Sequence, residues 1–377
     1  MIQNWRHLIP SLLLTTTALA AAAEHGVTDS TIVIGQTIGL TGIVAAPVKE
    51  MNEGANAYFS WINKQGGVHG RKIEVRVLDD KFDPALAAAN AEILAKKERV
   101  FTLFQNRGTP HTEAILPILA ANQIPLIAPS TGAAIFHTPV NRWVFHVRAK
   151  YQDEVMKGVE HFDTVGVRSI GLLHVDDSFG RDGLEGFNKA MAARKLTPAV
   201  VTSFDRVKPD YEATAAALIK ANPQALIIVS SSKNTIEVIK TIRKQGGQMQ
   251  IMTLSNNSSQ AFVKDLGSAG AGVVISQITP APHLLSTTLG QEFTKAAKAS
   301  GATVSYAAME GFVNAKTLVE GLRRAGPKLT RDGFIRALES MQRTDFGGLM
   351  VTYGPDDHSG SEFVELTMIG KDGRFVR

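Results

Sequence analysis

Residues 100–132 read VFTLFQNRGTPHTEAILPILAANQIPLIAPSTG, and their order decides the architecture. An apolar run of strand length, residues 100–104, leads to Thr109 and Pro110. These are a hydroxyl suited to an N-cap and a proline at the first helical position, where its missing N–H costs nothing. The pattern predicts a helix over 110–121 and a second buried strand over 124–128, broken by Pro129, Ser130, Thr131 and Gly132. A helix between two such strands implies a parallel pair, so the loops after Phe104 and Ala128 leave the same edge of the sheet. Open α/β sheets bind ligands beyond the carboxyl ends of their strands, and a helix N-terminus adds free N–H donors and a positive dipole end. The two loops are therefore expected to hold a carboxylate or another small polar ligand on Thr109, Ser130, Thr131 and nearby backbone. A plain helix cap and a tight turn would use the same residue types.

Outside this stretch the chain has 377 residues, 44% hydrophobic, with 33 glycines and 15 prolines, a globular composition long enough for two domains. Residues 1–23 stand apart: a polar start with Arg6, a short apolar run and a tract of threonine and alanine before Glu24. That is the order of a cleavable secretory signal peptide, with an apolar run too short to span a bilayer. With no cysteine, the chain offers no disulfide, no thiolate metal site and no lipid attachment at the cleavage point. A periplasmic address is expected. The net charge of +5 is spread among nearly as many acids, which does not make a nucleic-acid footprint.

The alternation of strand and helix begins at residues 30–39 (STIVIGQTIG) and gives four strands and three helices before residue 132. It resumes at residues 169–174 and runs through strands near 199–204, 225–229 and 250–254, with helices expected near 183–194, 211–221 and 235–244 and, later, over 290–300, 306–325 and 330–341. The fold class is α/β: two doubly wound Rossmann-like lobes joined by three linkers. The expected boundaries are a leader over 1–23, lobe 1 over 24–147, lobe 2 over 148–278, a return to lobe 1 over 279–351 and a C-terminal part of lobe 2 over 352–377. Such linkers permit hinge closure over a ligand.

No catalytic constellation emerges. The chain lacks GxSxG, Walker A, HExxH and GxGxxG strings, and its ten histidines are dispersed. His111 could donate to a ligand, although an exposed helix-end histidine is the simpler expectation. Asp79-Asp80 and Asp176-Asp177 lack the further spaced ligands of a calcium loop and read as turn or cap carboxylates. Phe179 and Phe312 could wall an apolar ligand, or simply pack in cores. Glu310 could meet a ligand ammonium or face water. No metal or cofactor is implied.

Seven segments carry a family resemblance: IGQTIGLTG (34–42), GANAYFSWINKQGGVHGRKIEV (54–75), LDDKFDPALAAANAEIL (78–94), the 100–132 stretch, VFHVRAKYQDE (144–154), LLHVDDSFGRDGLEGF (172–187) and MEGFVNAKTLVEGLRRAG (309–326). Together the chain resembles the leucine/isoleucine/valine-binding family of ABC-transporter solute-binding proteins, with the type I periplasmic binding protein fold. The resemblance implies a non-enzymatic, monomeric carrier of a small-molecule solute. It would serve a membrane permease whose ATPase subunits are separate chains, since this one has no phosphate-binding loop. By position it places ligand contacts on Thr109, Ser130, Thr131, Gly132, Phe179 and Phe312. The acidic residue that meets an amino acid's ammonium in the family falls near Ser255, which carries no charge. The solute class implied is thus an amino acid or an amine-free organic or aromatic acid, and a ligand sensor on the same scaffold is the alternative role.

Overall fold

The computed structural model describes residues 24–376; the expected leader over 1–23 lies outside them. Lobe 1 starts with β1 (Thr31–Ile38), α1 (Ala45–Lys64), β2 (Lys72–Asp79), α2 (Pro84–Lys96), β3 (Leu103–Phe104), α3 (Thr109–Asn122), β4 (Leu126–Ile127) and β5 (Val144–Phe145). These strands form a parallel sheet in the order β2-β1-β3-β4-β5. The central strands are shorter than their apolar runs. Gln105 (φ 51°) and Ala128 (φ 55°) take left-handed conformations directly after Phe104 and Ile127, which ends each strand and throws its loop outward.

Lobe 2 follows with α4 (Tyr151–Thr164), β6 (Ile170–Val175), α5 (Ser178–Ala193), β7 (Val200–Phe204), α6 (Tyr211–Ala221), β8 (Ala225–Val229), α7 (Ser232–Lys244), β9 (Gln250–Thr253), α8 (Gln260–Leu266) and β10 (Val274–Gln277). The chain then adds α9 (Thr288–Ser300), α10 (Tyr306–Ala325) and α11 (Arg331–Glu339) to lobe 1, and β11 (Thr344–Asp345), β12 (Met350–Gly354) and β13 (Asp357–Gly360) in a small antiparallel sheet. Finally β14 (Glu365–Ile369) and β15 (Phe375–Val376) complete the second sheet, in the order β15-β14-β10-β9-β8-β6-β7. Helices cover both faces of each sheet, and buried aliphatic and aromatic side chains fill the four resulting layers.

The last crossing falls later than residue 351, where the sequence pattern put it. β13 lies beside β5, with the His146 N–H donating to the His358 carbonyl at 2.9 Å, so the chain passes to the second sheet between Gly360 and Glu365. Gly360 (φ +78°) makes this close approach possible: a Cβ there would sit 2.2 Å from the His146 carbonyl oxygen. Two further differences have local causes. Helix α5 begins at Ser178 instead of near residue 183, because the Asp177 carboxylate accepts from the N–H groups of Phe179 and Gly180 at 2.9 and 3.1 Å. The seven-residue α8, capped by Ser259, is too short to show a period in the sequence.

Candidate functional site

The two sheets point the carboxyl ends of their parallel strands at one another, and a small cleft lies between them. Its lining contains one contribution from each of nine successive strands: Val44 after β1, Phe82 after β2, Arg107, Gly108 and Thr109 after β3, Ser130 after β4, Tyr151 after β5, Phe179 after β6, Arg206 after β7, Ser231 after β8 and Asn256 after β9. This is the crevice at a topological switch point, formed twice and closed face to face.

Thr109, Ser130 and Phe179 stand in this wall. Thr109 is the first residue of α3 and not its cap; Gly108 (φ 103°) holds that position, with no side-chain cap bond. The Thr109 hydroxyl shares a 2.8 Å hydrogen bond with the Thr131 hydroxyl, so Thr131 stands behind Thr109 and outside the lining. Gly132 serves the first crossing, since a Cβ there would lie 2.6 Å from the Ala149 carbonyl oxygen. Ser255 also lies outside the lining: its hydroxyl accepts from Arg148 at 2.8 Å and its N–H donates to Glu154 at 2.8 Å. Phe312 faces away from the cleft altogether, packed edge-on against Tyr58 (4.9 Å) and Phe293 (5.3 Å) in the core of lobe 1. Glycines bring α10 onto α1 there, for a Cβ on Gly311 would meet the Met51 carbonyl oxygen at 1.8 Å.

Two other expectations are corrected by burial. His111 is not an exposed helix-end histidine; it is buried and stacked on Phe82 at 4.3 Å, and desolvation pushes its pKa down to about 4. Glu310 does not face water. It accepts from the Ser130 hydroxyl at 3.1 Å and lies 3.8 Å from the Arg148 guanidinium. Asp79, Asp80 and Asp177 take turn and cap bonds as expected. Among the described residues, no group of three or more His, Cys, Asp or Glu is placed to hold a metal ion.

The charged machinery of the cleft was not singled out in the sequence. Arg107 is buried, donating to the Asn256 carbonyl across the cleft at 2.8 Å and more distantly to the Ser130 hydroxyl at 3.4 Å. Among the described residues no carboxylate lies within 4.0 Å of it. Burial lowers its pKa from the usual arginine value, opposed by Glu310, yet the group stays charged. Arg148, at the first crossing, is paired with Glu154 and lies 4.5 Å over the Tyr151 ring. Burial would depress its pKa, but Tyr151, Glu154 and Glu310 outweigh that and raise it. Arg206 is paired with Asp177 and stands 5.3 Å over the Phe82 ring. A simple signal would have found these side chains: every lining residue lies two to six positions beyond the end of its strand.

Bonds outside the cavity hold the lobes shut. Glu50 of α1 accepts from the N–H groups of Gln260 and Ala261, at 2.9 and 2.8 Å, at the start of α8, and Asp182 accepts from the Ala134 N–H at 2.9 Å. Hydrogen bonds to a charged group contribute about 1.5–3 kcal/mol, and loss of the closed form lowers apparent affinity in proportion. Glu50→Gln is expected to weaken solute binding by about tenfold in calorimetry, although the residue lies outside the cavity. Unchanged affinity would show that closure does not depend on it.

Two Rossmann-like lobes meet strand-end to strand-end around a cleft, which is the architecture of a solute-binding protein. A family model described as periplasmic binding protein matches residues 31–374, and the chain belongs to that family. A substrate-binding periplasmic protein from Ralstonia solanacearum is similar at 30% identity over 92% of this chain and 99% of its own, with a TM-score of 0.86. A possible leucine/isoleucine/valine-binding protein from Rhodopirellula baltica shares the fold at a TM-score of 0.87 and 24% identity, over 95% of this chain and 98% of its own. The Leu/Ile/Val-binding protein BraC3 of Rhizobium johnstonii is 37% identical over 79 residues, 20% of this chain and 22% of that protein. The chain thus aligns with about a fifth of the length of this curated relative. The family agrees with the resemblance carried by the seven sequence segments. Membership implies a location outside the cytoplasm, and no helix among the described residues is long and apolar enough to cross a membrane.

Proposed function

We propose that this chain is the solute-capturing component of an importer of the branched-chain amino acid type. It is exported through a cleaved leader into the periplasm without a lipid anchor and works as a monomer. There it closes on a small carboxylate-bearing solute and hands it to transmembrane permease subunits powered by separate ATPase subunits. Catalysis has no part in this role. The observation that carries the reading is Arg107, a buried guanidinium in the cavity wall with no carboxylate within 4.0 Å among the described residues. A ligand carboxylate beside Arg107, Thr109 and the start of α3 would meet a forked cation, a hydroxyl and the positive end of a helix. The aromatic rings of Phe82, Tyr151 and Phe179 supply apolar walls for the rest of the molecule.

A thermal-shift panel of amino acids, amine-free carboxylates, neutral sugars and cations tests this. Ligand at a hundred times its Kd adds about 2.7 kcal/mol of apparent stability. One or more carboxylates are expected to raise the melting temperature by several degrees. A panel in which only sugars or cations do so would sink the proposal.

A further inference from the structure

Two residues that line the cavity each carry a buried side-chain polar atom with no partner among the described residues: Asn256 Oδ1 and the Ser231 hydroxyl. Both belong to lobe 2, after β9 and β8, and both are buried. The Asn256 amide is oriented by its own bonds, its Nδ2 donating to the Ser230 carbonyl at 2.9 Å and to Asn257 Oδ1 at 3.3 Å, while its Oδ1 is left without a donor. The Ser231 hydroxyl precedes α7 without capping it. A buried acceptor left unmatched is destabilising, so a pair of such atoms on residues lining a cavity marks a place where the ligand supplies hydrogen bonds.

The charge of the complementary group follows from the neighbours. None of the eleven lining residues is an Asp or Glu. The nearby acids are already engaged: Glu154 with Arg148, the Ser255 N–H and the Ser276 hydroxyl, Asp177 with Arg206 and the start of α5, and Glu310 with Ser130 and Arg148. An ammonium entering this wall would lose its water and gain only neutral acceptors, beside two guanidinium groups that repel it. A hydroxyl carries no such penalty, and it can donate to Asn256 Oδ1 while exchanging a hydrogen bond with Ser231. The 2.8 Å bond from Arg107 to the Asn256 carbonyl sets Asn256 next to the guanidinium proposed to receive the carboxylate.

We infer that the solute is a carboxylate bearing an uncharged hydroxyl close to its acid group, a hydroxy acid and not an amino acid, with the hydroxyl held by Ser231 and Asn256. This rests on the proposed role as a carboxylate-binding protein and narrows it to one ligand class.

Matched triplets test the idea by calorimetry on the full exported chain: 4-methylpentanoate, 2-hydroxy-4-methylpentanoate and leucine, and 3-phenylpropanoate, 3-phenyllactate and phenylalanine. In at least one triplet the hydroxy acid is expected to bind about tenfold tighter than both the unsubstituted acid and the amino acid. In Ser231→Ala, whose hydroxyl has no partner to lose, the ratio of hydroxy-acid to unsubstituted-acid affinity should fall toward one. Tighter binding of leucine or phenylalanine overturns the hydroxy-acid class while leaving a carboxylate-binding protein in place. A ratio that Ser231→Ala does not change removes Ser231 from the site and overturns the assignment. Absence of binding by all six acids, together with a carboxylate panel that leaves the melting temperature unmoved, overturns both this inference and the role beneath it.

Discussion

Glu154→Ala is expected to cost about 3–5 kcal/mol of folding stability. Glu154 is wholly buried, and one of its oxygens pairs with the equally buried Arg148. Its other oxygen accepts from the Ser255 N–H and the Ser276 hydroxyl. Removing the carboxylate therefore leaves a buried cation and two buried donors unmatched at the first crossing between the lobes. Glu310, 3.8 Å from Arg148, offsets only part of this, because it is already engaged by Ser130. The desolvation cost of Arg148 is unchanged while its main partner is gone, so breaking the pair is far more harmful than the net value of the pair suggests. Urea titration followed by circular dichroism measures the loss. A change below about 1 kcal/mol would mean that the crossing relaxes to let water reach Arg148, and the view of this network as the rigid pivot would fail.

Arg107→Met should abolish most solute affinity while leaving the fold intact. Truncating one partner of a buried, hydrogen-bonded charge pair costs about 2–5 kcal/mol, on the order of thirtyfold to several thousandfold in Kd. Methionine keeps the apolar stem, and no intramolecular carboxylate within 4.0 Å is left stranded. The affinity lost is therefore attributable to the ligand's acid group and to the Arg107 bond across the cleft to Asn256. Arg107→Lys should fall between the two, since a point charge cannot reproduce the planar fork. The measurement is calorimetry with whichever carboxylate most raises the melting temperature. Affinity within threefold of the parent protein would show that the carboxylate does not sit on Arg107, and the proposed mode of capture would have to be abandoned.

Both residues lie in or beside segments read correctly as strand, loop and helix, yet neither was picked out as functional. Hydrophobic runs and turn residues report the local backbone, which is why β6, β8, α6 and α10 fall where the pattern places them. They do not report which polar side chain beyond a strand turns inward, since an exposed arginine and a buried one look alike in a sequence. Thr109, Ser130 and Phe179 were legible because strand-end position alone selects them. Phe312 was misplaced because a helix has a core face and a cleft face that one aromatic cannot distinguish, and the close approach of α1 at Gly311 settled the matter. Ser255 was placed near the solute by its position in the chain; in space it braces Glu154 and Arg148 instead.

The sequence by itself determined two α/β lobes and the strand ends that would form the site, because period, caps and breakers act over a few residues. Tertiary structure alone decided which charges face the cavity and which cancel in pairs. Those outcomes depend on desolvation and on partners far apart in the chain, such as Arg107 with Asn256 and Glu50 with α8, brought together only when the lobes close.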